Sequence, residues 1–177
     1  MDLRLPDLAN DTVLNVAQLL KQPVGATRTF QIHLQRLTLD EGQWARDVEA
    51  NIRLTRIEAG ILVDGEVAGV ANVQCVRCLN EFDQPFRSVF DGEFRPSVDV
   101  RTGVPIDNPE DDDVFIIDHN HELDLAPLLR QVIILALPMR PVCGEDCAGF
   151  QREFPAAEDE VDDRFAVLRT LLDEGTE

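Results

Sequence analysis

Residues 47–75 read DVEANIRLTRIEAGILVDGEVAGVANVQC, and through most of this stretch every second side chain is apolar. Val48, Ala50, Ile52 and Leu54 alternate with Glu49, Asn51, Arg53 and Thr55, the period of a strand with one buried face and one wet face. The stretch is read as two strands, 47–60 and 61–75, with Asp64 and Gly65 as a hairpin turn signal. Outward from it, RTFQIHLQRLTL (28–39) and QPFRSVFDGEFRP (84–96) carry the same alternation, and Phe115, Ile116 and Ile117 suggest one more short strand. These runs predict an α+β fold built on an antiparallel β-meander or partly closed barrel of about five or six strands.

Helical periodicity lies toward the ends. Residues 125–137 carry Leu125, Leu128, Leu129, Val132, Ile133, Leu135 and Leu137 around nearly the whole circumference, so a helix buried against the sheet is expected there. Asp124 is placed to cap it, Pro127 is tolerated in its first turn, and Pro138 and Pro141 end it. A C-terminal amphipathic helix is expected over 164–174, where Phe165, Leu168, Leu171 and Leu172 share a face. Residues 13–21 suggest a shorter helix. The whole chain, 1–177, reads as a single domain, with acidic blocks at 107–113 and 158–163 marking solvated loops.

The chain has 34 acidic and 16 basic residues, a net charge of −18, which repels phosphate backbones over most of its surface. Direct RNA binding is therefore expected to be weak, and a basic protein, such as a ribosomal or ribosome-assembly protein, is the partner such a field attracts. The stretch MDLRLPDLANDTVLNVAQLL lacks the layout of a secretory leader, and the longest apolar run, VIILAL, is far too short to span a bilayer. A cytoplasmic location with reduced thiols is the expectation.

Four cysteines fall in two close pairs, Cys75 with Cys78 in QCVRCLNEF and Cys143 with Cys147 in PVCGEDCAGF. Four thiolates satisfy tetrahedral zinc, so a structural zinc site is the leading reading, although the separation of the pairs exceeds that of common zinc ribbons. Unliganded thiols on ordinary loops are one alternative, and a thiol redox role for Cys75 and Cys78 is another. Against redox chemistry, LNEFDQPF after Cys78 contains no amphipathic helix to lower a thiol pKa. In DHNHELD (118–124), His119 and His121 would face one side of an extended strand, where a metal-dependent hydrolase could use them with a carboxylate. His33 sits on a strand with no such company. The chain carries no G-x-x-x-x-G-K-[ST], G-x-G-x-x-G or G-x-S-x-G motif, so nucleotide-dependent and serine-hydrolase chemistry lack their usual signatures.

Taken in order, CVRCLNEFDQPF, DLAPLLRQVIILALPMRPVCGEDCAGF and DDRFAVLRTLL resemble the YceD family from about residue 30 to the end. Many relatives continue past Cys147 with a second C-x-x-C, where this chain reads AGFQREF. The resemblance implies a role in accumulation of large-subunit ribosomal RNA in bacteria and plastids, and supports Cys75 and Cys78 as family features. It implies no catalytic residue, so a non-enzymatic assembly factor is the expected function.

Overall fold

The computed structural model describes residues 7–9, 11–40, 42–107 and 114–149. In chain order the elements are β1 (Asp7–Ala9), β2 (Val13–Asn15), α1 (Ala17–Leu20), β3 (Thr27–Asp40), β4 (Gln43–Arg56), β5 (Ile61–Gln74), β6 (Glu81–Pro96), β7 (Val114–Ile117), β8 (Glu122–Asp124) and α2 (Ala126–Ala136). Strands β3 to β6 form the expected antiparallel meander. Short β1 and β7 pair in parallel along its two edges, giving a six-stranded sheet in the order β1-β3-β4-β5-β6-β7. The sheet is open, so the barrel alternative is not realised: β1 and β7 each pair with one neighbour and not with each other. Strands β2 and β8 form a separate antiparallel pair.

The alternation places Ile32, Leu34, Ile52, Leu54, Val63 and Phe94 on one buried face. The opposite face is polar and laced with exposed ion pairs, Arg53 to Asp64, Arg87 to Glu66 and Arg46 to Asp83. Such exposed pairs add little stability, so burial of the apolar face holds the sheet. Helix α2 packs that face against β6 and β3. Leu128 sits so close over Gly92 that an added Cβ would meet its methyl groups at 3.0 and 3.2 Å. The cap position of α2 is Leu125 and not Asp124, and it makes no side-chain capping bond; the Asp124 carboxylate, one residue earlier, accepts the Ala126 N–H at 2.9 Å.

Several expectations need correction. Asp64 and Gly65 form no turn but lie inside β5, opposite Arg53 and Ile52 of β4. A Cβ on Gly65 would run into the Asn51 carbonyl oxygen, so glycine serves a close approach of two backbones there. The β4–β5 turn is 57–60, where Ile57 and Gly60 exchange backbone hydrogen bonds of 3.0 and 3.3 Å. Residues 13–21 are divided between β2, which needs its N–H and C=O groups to pair with β8, and the four-residue α1. Helix α2 is covered on one side only by the described residues: Leu128, Leu129 and Ile133 are buried, but Leu135 is exposed. The expected helix at 164–174, the acidic block at 158–163 and residues 108–113 lie outside the described residues. Among the described residues, no helix is long and apolar enough to cross a membrane.

Candidate metal centre

Strand β5 ends at Gln74 and β6 begins at Glu81, so the first cysteine pair occupies the hairpin turn between them. The turn is closed by the Cys75 N–H donating to the Asn80 carbonyl and the Leu79 N–H donating to the Cys75 carbonyl, both at 2.9 Å. Leu79 follows the second cysteine with φ of 64°, a left-handed conformation that side chains rarely adopt. The Gln74 side-chain amide steadies it by donating to the Leu79 carbonyl at 2.9 Å.

The second pair arrives from the other layer. Helix α2 ends at Ala136, Leu137 turns extended, and the chain returns across the end of the sheet until the Pro141 carbonyl accepts the Val76 N–H at 2.9 Å. That bond joins the two cysteine loops. Their four sulfur atoms all lie within 4.8 Å of one another. Cys75 Sγ is 3.8 Å from Cys147 Sγ, and Cys78 Sγ is 3.8 Å from Cys143 Sγ. In a tetrahedron of sulfurs about 2.3 Å from zinc, neighbouring sulfurs stand about 3.8 Å apart, so the donor set matches that ion in kind and number, and these two separations match its edge.

Electrostatics of the cluster point the same way. Backbone N–H groups of Cys78, Cys143 and Arg77 are aimed at the Cys75 sulfur and bring its pKa down to about 6 against the opposing effect of burial. Cys143 goes the other way, pushed up to about 12 by the thiols of Cys147, Cys75 and Cys78 around it. One sulfur is prepared as a thiolate while another resists a further negative charge, a conflict that a bound cation removes. Cys75 is fully buried and Cys143 is exposed, so the cluster opens to solvent on one side.

Sulfur contacts of 3.8 Å run between the loops, Cys75 to Cys147 and Cys78 to Cys143, and β6, not a helix, follows Cys78. That geometry gives the Cys75–Cys78 redox alternative no support. His119 and His121 do not lie on an extended strand; they occupy the turn between β7 and β8, where His121 has φ of 62°. Asp118 organises that turn by accepting the Glu122 and Asn120 N–H groups at 2.8 Å each, contacts that lower its carboxyl pKa despite burial. Among the described residues, the four cysteines are the only group of three or more His, Cys, Asp or Glu side chains close enough to share an ion. The histidines are therefore not assembled with a carboxylate into a hydrolase site. His33 lies 3.7 Å from Glu49 on the exposed sheet face. Sequence reading missed Leu79 and the Val76–Pro141 link; the usual clue to the left-handed position, a glycine after the second cysteine, is missing here.

Two similar proteins, from Mycobacterium tuberculosis and Mycobacterium bovis, are both described as uncharacterized, and each is 26% identical over 93% of this chain and 83% of its own length. No solved structure matches the chain. The family described as large ribosomal RNA subunit accumulation protein YceD matches residues 63–172, a span that takes in most of strand β5, strand β6, helix α2 and all four clustered cysteines, and the chain belongs to that family.

Proposed function

We propose that this protein is a non-enzymatic accessory factor for accumulation of large-subunit ribosomal RNA, and that Cys75, Cys78, Cys143 and Cys147 hold a structural zinc ion. The observation that carries this reading is a set of four cysteine sulfurs within 4.8 Å of one another in a member of this family: around a zinc ion they would fill a tetrahedral shell and leave no position for a substrate or an activated water. Bound there, zinc would supply a cross-link between the β5–β6 hairpin and the chain leaving α2. The factor acts in the cytoplasm through a basic ribosomal or ribosome-assembly protein, because a net charge of −18 attracts cationic surfaces and opposes contact with RNA phosphates.

A deletion strain tests the role. Loss of the protein is expected to lower mature large-subunit rRNA relative to small-subunit rRNA. The native chain and a His119→Ala/His121→Ala chain should both restore the ratio, whereas Cys75→Ser should not. RNA cleavage by the purified protein that disappears with the histidine substitutions would replace this reading with a hydrolase. Affinity capture at moderate salt should recover a basic protein, and tight, salt-sensitive binding of naked rRNA would reverse the assignment of the partner.

A further inference from the structure

Helix α2 presents more apolar surface than the described residues cover. Leu128, Leu129 and Ile133 face the sheet, but Ile134 and Leu135 are 40% and 84% exposed, and Met139 just beyond the helix is fully exposed. Together with Val73, Leu137 and Pro141 they line a groove of about 310 Å³ between the end of the helix and the end of β5. Exposed Val76 and Leu79 sit in the adjoining cysteine turn, which is tied to the groove through the hydrogen bond from Val76 to Pro141. Contiguous apolar surface of this kind marks a docking site.

We propose that residues 164–174 of the same chain occupy this groove with their apolar stripe facing inward. The segment lies outside the described residues, but its sequence supplies Phe165, Leu168, Leu171 and Leu172 at spacings that align on one helical face. The last described residue, Gly149, lies beside the Arg77 carbonyl, so the chain departs from the cysteine turn that borders the groove. Residues 150–163 reach roughly 45–50 Å when extended, about three times the ~16 Å length of the helix to be seated. Charge favours the same placement: the acidic block 158–163 precedes the stripe, while Arg77 and Arg140 are exposed beside the groove. The family match also runs through residue 172, which makes the stripe part of the family's domain and not an appended tail. This seating would explain why α2 is apolar on both sides.

The test is made on the full chain with a benzophenone amino acid at position 139, where the native side chain is fully exposed and its replacement leaves the core untouched. Irradiation of a mixture of isotopically light and heavy chains should give cross-links from position 139 to residues 164–174 within one chain. Cross-links between light and heavy chains would assign the groove to a second copy, and cross-links elsewhere or none at all would also overturn the proposal. Brief trypsin treatment gives an independent readout, because Arg152 lies in the proposed tether and Arg164 and Arg169 in the seated segment. Cleavage at Arg169 should be at least about tenfold slower than at Arg152, and Leu135→Glu should abolish that difference while circular dichroism stays native. Equal cleavage in the native chain, or protection that survives Leu135→Glu, would refute it.

Discussion

Strand β5 is closed at its two ends by turns that solve one problem in opposite ways. At 57–60 the chain uses its own polar groups: Ile57 and Gly60 bond each other, and the Arg56 guanidinium donates to the carbonyls of Leu20, at 3.3 Å, of Gly60, at 2.8 Å, and of Ile57. The guanidinium brought there meets acceptors already supplied by the backbone. At 75–80 the turn is built around sulfur, draws in residues from beyond α2, and gathers four thiols whose ionisation preferences conflict. The first turn is complete as polypeptide, whereas the second brings together four sulfurs that could hold a cation.

The largest effect should come from breaking the second turn. Purified native protein is expected to carry about one zinc per chain, and Cys75→Ser to carry none by metal analysis, with a loss of at least about 3 kcal/mol in stability because metal binding is coupled to local folding. Hydrogen exchange should localise that loss to the Val76–Pro141 link and leave the β3–β4 amides protected. Native zinc content in Cys75→Ser, or stable metal-free folding unaffected by Cys143→Ser, would contradict the four-thiolate assignment.

Breaking the first turn should cost about 2–3 kcal/mol in Arg56→Ala, since a part-buried guanidinium is removed and its carbonyl partners are left to find water. Urea unfolding measures the cost. Zinc content should not change, which separates the two ends of β5.

In metal-free, reduced protein the two shifted thiols should give stability an optimum near pH 9. The Cys75 pKa is depressed from 9.0 to about 6, so its contribution is complete above about 9 and is lost as pH falls through 6. The Cys143 pKa is raised from 9.0 to about 12, so its contribution is complete below about 9 and is lost as pH rises through 12. Urea midpoints from pH 6 to 11 in chelator and reductant check both arms, and Cys75→Ser should remove the acidic one. The smallest effect belongs to the histidines: His119→Ala and His121→Asn should each change stability by less than about 1 kcal/mol and leave zinc content untouched, because Asp118 and backbone groups organise their turn.

Legibility followed the range of the physics. Residues 28–39 and 84–96 were readable as strands because the pleat forces a period of two wherever one face is buried. Residues 125–137 were readable as a helix because their apolar residues recur at short range, but the cap fell at Leu125, one residue past Asp124. The Asp64 and Gly65 pair misled for the opposite reason: a local turn signal was overruled by pairing with β4 on one side and β6 on the other of the fourteen-residue β5. His119 and His121 were read onto a strand that ends at Ile117.

By itself the sequence determined the antiparallel meander, its amphipathic pattern, the long apolar helix and the presence of two close pairs of thiols, since each depends on residue type and short-range period. Only the tertiary structure decided that the sheet stays open, which turn closes β5, and that Cys143 and Cys147 meet Cys75 and Cys78. That last convergence depends on how α2 packs across β3 and β6 and on which way the chain leaves it, and the geometry of a packed helix over a twisted sheet is set by contacts between residues far apart in the chain.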